Sequence, residues 1–187
     1  MGKEVSKFNK KSDKVASNQN ILLLGLSRSG KSTLLTKFQA GKETEYIPTE
    51  GFKLSTYPKD DKSGSCINLW DLGGSTIERL GWQFFYPVAD GIIYVIDSED
   101  KSSFEENKRQ LQEILNNIKL QQVPLVILAN KQDLHGAVNE VEMRRVLDLN
   151  NSYDMLCGIF GTSMSDESAI ASHLHALISG METKNNC

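Results

Sequence analysis

The chain has 187 residues, 39% hydrophobic and 24% charged, which is enough for one domain with a full core. Its formal net charge of −3 gives no basis for general nucleic-acid binding. No apolar stretch approaches the ~18 residues of a membrane span, and the start lacks the apolar core of a secretory signal. Cys66, Cys157 and Cys187 have no scaffold spacing and read as reduced cytosolic thiols, the first two expected in the core. Cys187 ends no C-a-a-X box, so prenylation is not expected.

Residues 1–19 are polar, with Lys3, Lys7, Lys10, Lys11 and Lys14 set against Glu4 and Asp13. Met1-Gly2-Lys3-Glu4-Val5-Ser6 fits the pattern M-G-x-x-x-[ST], which places an N-myristoyl group on Gly2. One acyl chain binds a membrane only marginally, and the lysines supply the second signal at an anionic leaflet. Only Val5 and Phe8 are clearly apolar, so lipid plus lysines is expected rather than deep insertion. A solvated tail without lipid is the alternative.

The run Ile21-Leu22-Leu23-Leu24 predicts a strand over residues 20–25. It leads into Gly25-Leu26-Ser27-Arg28-Ser29-Gly30-Lys31-Ser32, the pattern G-x-x-x-x-G-K-[ST], at the start of a helix expected to reach residue 39. Such a loop turns its backbone N–H groups, here through Ser27, Arg28, Ser29 and on to Thr33, toward phosphate oxygens. Lys31 reaches the β- and γ-phosphates, the Ser32 hydroxyl suits Mg²⁺, and the helix adds its positive end.

Residues 41–51 form a loop. Residues 52–57 and 66–71 form a hairpin whose turn, 58–65, is rich in turn formers. The second hairpin strand ends in Asp71-Leu72-Gly73-Gly74. An Asp here holds Mg²⁺ through water, and a glycine lets a backbone N–H approach the γ-phosphate. Residues 91–97 read as a buried strand. Residues 102–118 read as a helix with Phe104, Leu111, Ile114, Leu115 and Ile118 on one face. The strand 123–129 ends in Asn130-Lys131-Gln132-Asp133. The Asp133 carboxylate matches the paired N–H donors of the guanine Watson–Crick edge, which adenine lacks. The Lys131 stem suits the purine face, and Asn130 can tie this loop to the phosphate loop. Helices at 139–148 and 167–179 flank a last strand at 155–160. Strands alternating with helices predict a parallel α/β sheet with functional loops at the strands' carboxyl ends.

Residues 25–33, Pro48-Thr49-Glu50-Gly51-Phe52, Trp70-Asp71-Leu72-Gly73-Gly74, Asp97-Ser98-Glu99-Asp100 and Asn130-Lys131-Gln132-Asp133-Leu134 together resemble the Arf/Arf-like branch of the small GTPases, over residues 18–180. The resemblance implies the three-layer P-loop NTPase fold, an α/β architecture with a six-stranded, mostly parallel sheet and helices on both faces. It implies a GDP/GTP switch with Mg²⁺ that recruits effectors in membrane trafficking. It further implies exchange factors, GTPase-activating proteins, a monomer, and a cytoplasmic protein in reversible membrane association. The organisation expected is a basic segment at 1–19, a GTP-binding domain at 20–180 and a short tail at 181–187. By resemblance, Thr49 joins Mg²⁺ in the GTP state, the Gly74 N–H meets the γ-phosphate, and Gly161 and Thr162 place amides at the guanine carbonyl. Phe52, Trp70 and Phe85 match an aromatic cluster presented to partners, with ordinary core packing as the alternative.

The chain departs from this pattern at Ser75, where the family usually has the glutamine that orients the attacking water. With Lys31, Thr49 and Gly74 as the other catalytic positions, binding and switching are expected to survive while intrinsic hydrolysis is slow. Thr76, Glu78 or a partner's residue is the alternative source of water positioning. Two other readings differ in kind. One is a GTP-loaded scaffold or adaptor with negligible turnover, and the other is a P-loop nucleotide kinase, against which Asn130 to Asp133 argue.

Overall fold

The computed structural model describes residues 18–38, 51–58, 65–149 and 155–163. The expectations at Gly2 and residues 1–17, at Thr49 and Glu50, at the hairpin turn 59–64, at helix 167–179 and at Cys187 lie outside them.

Six strands form one sheet: β1 (Gln19–Leu24), β2 (Phe52–Pro58), β3 (Cys66–Leu72), β4 (Gly91–Asp97), β5 (Leu125–Asn130) and β6 (Leu156–Gly161). Their order is β2-β3-β1-β4-β5-β6, and among the described residues only the β2–β3 hairpin pair is antiparallel. The helices are α1 (Lys31–Phe38), α2 (Thr76–Arg79), α3 (Phe104–Leu115) and α4 (Glu140–Val146) among the described residues.

The central strands β1, β4 and β5 read as nearly unbroken apolar runs because both faces of the sheet are covered there. Ile21, Leu23, Ile93, Val95, Val126 and Leu128 pack on one face with Leu34 and Leu35 of α1. The alternate residues Leu22, Leu24, Ile92, Tyr94, Ile96, Leu125 and Ile127 pack on the other, with Trp82, Tyr86, α3 and α4. This is the period of two expected of a pleated strand, and it gives three layers.

Two expectations of burial fail. Helix α3 stops at Leu115, and Ile118 stands in a following turn with 79% of its surface exposed. Asn117 caps that turn by accepting from Lys119 N–H, so the chain leaves the α3 helical path and the apolar face ends with it. Cys157 is exposed and Cys66 half-buried: among the described residues β6 pairs with β5 alone, at the end of the sheet, and Cys66 opens the hairpin strand next to β2.

β1, β3, β4, β5 and β6 end on the same side of the sheet, at Leu24, Leu72, Asp97, Asn130 and Gly161. From β1 the chain passes to the β2–β3 hairpin on one side, and from β3 it crosses to β4 on the other. Residue 25 therefore leaves the sheet at its topological switch point, where open α/β sheets bind ligands.

Candidate nucleotide-binding site

The loop between β1 and α1 follows a path that its residues tolerate unequally. Gly25 and Gly30 have φ of 141° and 103°, and Arg28 holds φ 66°. At Gly30 a Cβ would stand 2.2 Å from Asn130 Nδ2. That approach lets Asn130, fully buried at the end of β5, donate to Ser29 O at 2.8 Å. Thr162 Oγ1 donates to Asn130 Oδ1 at 3.4 Å, which fixes the amide's orientation. Two loops 101 residues apart are thus joined by one side chain.

Lys31 opens α1 and is buried. Its Nζ donates to Gly25 O at 2.8 Å and Leu26 O at 2.9 Å. Burial lowers its pKa to about 8, with Asp71 and Glu78 opposing the shift. An ammonium so placed can donate strongly to phosphate oxygens. Ser32 Oγ donates to Asp71 Oδ2 at 2.7 Å, and Asp71 is fully buried at the end of β3. A hydroxyl and a carboxylate side by side are the hard oxygen donors Mg²⁺ takes. Thr33, half-buried, follows in the first turn of α1. Ser29 Oγ is buried with no hydrogen-bond partner, a polar atom left over in the cradle.

Gly74 lies directly on this loop. A Cβ there would stand 2.5 Å from Gly25 O and 2.6 Å from Ser27 N. Ser27 N–H donates to Gly74 O at 3.1 Å. A cavity of 330 Å³ adjoins it, bordered by Ser27, Ser29, Gly74, Ser75 and Arg79. Arg79 donates to Gly74 O at 2.8 Å and pairs with Glu106 of α3, so the segment after β3 is anchored at both ends.

Ser75 is the N-cap of α2. Its Oγ accepts from Glu78 N–H at 3.3 Å, and Glu78 Oε2 accepts from Ser75 N–H at 2.8 Å. The Glu78 carboxylate also accepts from Gly51 N–H at 3.1 Å, so it bridges the two segments beside the cradle. Bonds to Ser75 and Gly51 hold its carboxyl below the ordinary range, Ser75 contributing most and burial opposing. The signal for this cap was in the sequence as Ser-x-x-Glu over residues 75–78.

At the other end, Asp133 is exposed and its Oδ1 accepts from Ser163 Oγ at 2.6 Å. That bond holds its carboxyl below the usual range. Lys131, at φ 66°, pairs with Asp97 of β4 at 2.5 Å. Gln132 Nε2 contacts Ser98 Oγ (3.1 Å), Ala129 O (3.2 Å) and Val138 O (2.9 Å), a brace that sequence reasoning missed because its partners come from three segments. Of the two amides expected at the base, Thr162 N–H is spent on Ala129 O at 2.9 Å. Gly161 N–H donates to Glu140 Oε1 at 2.6 Å.

The sequence profile of the ADP-ribosylation factor family matches residues 5–181. The chain belongs to that family. ADP-ribosylation factor-like protein 3 of Chlamydomonas reinhardtii is 38% identical over 134 residues, 72% of this chain and 74% of that protein. ADP-ribosylation factor-like protein 1 of Caenorhabditis elegans is 37% identical over 150 residues, 80% and 82% respectively. ADP-ribosylation factor-like protein 3 of the same animal is 40% identical over 130 residues, 70% of each chain. The solved Arl6 (BBS3) small GTPase of Trypanosoma brucei, with bound GppNp, superposes at a TM-score of 0.79. It is 23% identical, spans 89% of this chain and 99% of its own, and shows the shared fold. An ADP-ribosylation factor relative is a guanine-nucleotide switch, a GTPase that works with regulators and effectors.

Proposed function

We propose that this chain is a slow Arf-like GTPase that holds guanine nucleotide with Mg²⁺ and recruits an effector to a membrane surface while GTP-loaded. The observation that carries the reading is the single side chain, Asn130, that ties the phosphate loop to the loop bearing Asp133. Phosphate grip and base choice then act as one rigid unit.

Ser32 and Asp71 are the residues that would hold Mg²⁺, Asp71 through water, with Thr49 joining in the GTP state. The ion when bound neutralises charge on the β- and γ-phosphates. Lys31 supplies the second positive charge at those oxygens. The Gly74 N–H addresses the γ-phosphate from the segment that Arg79 and Glu78 hold in place.

Ser75 is the weak point. Its hydroxyl is engaged in capping α2 and is too short to orient a water at the phosphate. Ser75→Gln removes the hydroxyl cap, at about 1 kcal/mol, but keeps the Ser75 backbone N–H bonded to Glu78. Single-turnover GTP hydrolysis is expected to rise at least about tenfold in the variant. A rate no faster than wild type would show that water positioning lies elsewhere.

The effector surface we propose is aromatic. Phe52, Trp70 and Phe85 form a triangle with ring centroids 5.4–5.7 Å apart, and Phe52 is 55% exposed. Leu54, Ile77, Leu80 and Phe84 (78% exposed) extend apolar surface on β2 and around α2. Aromatic anchors beside segments that respond to nucleotide are what a partner reading the GTP state requires. Membrane contact is assigned to a myristoyl group on Gly2 and the lysines of residues 1–19, in a cytoplasmic protein acting in trafficking. Acylated protein is expected to sediment with anionic vesicles, and Gly2→Ala to stay in the supernatant; equal sedimentation refutes the anchor.

A further inference from the structure

We infer that Glu78 is a positioning residue that sets the chain's preference for GTP over GDP, by clasping the segment at Gly51 to the segment at Ser75. The inference rests on the GTP switch proposed above. Glu78 Oε1 accepts from Gly51 N–H at 3.1 Å, and Oε2 accepts from Ser75 N–H at 2.8 Å. A third bond runs alongside, from Gly73 N–H to Gly51 O at 2.8 Å. Gly73 makes room for the carboxylate: a Cβ there would stand 2.3 Å from Glu78 Oε1 and 2.7 Å from Oε2. The bonds from Ser75 and Gly51, with the Lys31 charge, hold the carboxyl below its ordinary range, so the clasp is ionised at neutral pH.

The two clasped segments are the ones GTP would draw together. Gly74, next to Ser75, packs on the phosphate loop, where Ser27 N–H donates to Gly74 O at 3.1 Å. Gly51 follows Thr49 by two residues. In the proposed GTP state Thr49 meets Mg²⁺ and the Gly74 N–H meets the γ-phosphate, so one phosphate needs both segments at once. GDP makes no such demand. Every atom of the clasp belongs to the chain, so it lowers the cost of ordering these segments with either nucleotide. Only GTP uses that order, and a bond that favours one of two arrangements raises affinity for the ligand that requires it. The Glu78 charge works against this by repelling a third phosphate. Two amide donors and the Lys31 ammonium offset that repulsion, which leaves the clasp as the larger effect.

The test is the ratio of dissociation constants for GDP and a non-hydrolysable GTP analogue, measured by calorimetry on the full chain with Mg²⁺. Glu78→Ala is expected to shift the ratio about tenfold toward GDP, the low end for a charge-assisted bond because Glu78 is half-buried. Glu78→Asp keeps the charge but is one methylene too short to span both amides, so it should shift the ratio nearly as far. Glu78→Gln keeps the reach and one acceptor, so it should shift it less. Gly73 has no positive φ, so alanine suits its backbone; Gly73→Ala should displace the carboxylate and match Glu78→Ala. An unchanged ratio in Glu78→Ala overturns the proposal, since a merely structural clasp weakens both nucleotides alike. A ratio shifted toward GTP in Glu78→Ala and Glu78→Gln overturns it too, because charge repulsion then outweighs the clasp. Wild type that binds neither nucleotide overturns the GTP-switch reading instead.

Discussion

Asp133→Asn is expected to lower GDP affinity about a thousandfold and to raise affinity for xanthosine diphosphate. In the proposed pose the carboxylate would accept from both N1–H and the 2-amine. The asparagine amide still accepts from N1–H but turns its own N–H₂ on the amine, donor against donor. Xanthine carries a carbonyl at that position, so the same amide becomes complementary. The Ser163 hydroxyl donates to Oδ1, an acceptor the asparagine keeps, so the loop should stay in place. Asp133 is exposed, and its substitution leaves no buried charge behind. Calorimetry with the two nucleotides reads the exchange directly. A variant that keeps its preference for GDP over xanthosine diphosphate would remove Asp133 from base selection.

Lys31→Met is expected to move binding and stability in opposite directions. The Lys31 ammonium is buried and held by two loop carbonyls, and burial has lowered its pKa to about 8. The protein therefore carries the cost of a desolvated charge below that pH, where the unfolded chain is also protonated. The sign follows from a base whose folded pKa is depressed: its penalty is present at pH 7 and fades as pH rises past 8. Methionine keeps the stem and drops the charge. The nucleotide-free variant should gain about 1–2 kcal/mol, discounted for the two carbonyls left without the ammonium, or a few degrees in thermal midpoint. GTP affinity should fall about a hundred- to a thousandfold, since a desolvated cation at a phosphate is worth several kcal/mol. Thermal melts without nucleotide and titrations with GTP give the two numbers on the same sample. Loss of stability together with affinity would mean that Lys31 holds the loop together rather than the ligand.

The local signals carried far. The glycine–lysine loop, the strand runs around Ile21, Ile92 and Val126, and the polar loop after Ala129 each announce themselves within ten residues. The chemistry there is set by neighbours in the chain: positive φ at Gly25 and Gly30, and alternation across a pleat. The same reasoning overreached at Ile118, whose helical spacing continues beyond the place where Asn117 turns the chain. It overreached again at Cys157, where an apolar setting in sequence became an exposed position on edge strand β6. Periodicity reports what could be buried and says nothing of what lies opposite.

By itself, the chain's order of residues pointed to a triphosphate loop, a magnesium carboxylate and a guanine reader, because each is a short pattern whose chemistry is built into adjacent atoms. The assembled sheet alone decided how they are coupled. It placed Asn130 against Ser29, Glu78 against Gly51, and Glu140 on the Gly161 amide. These contacts join residues 101, 27 and 21 positions apart. Hydrogen bonds act over about 3 Å, and only the packing of five strand ends into one row brings such distant donors and acceptors that close.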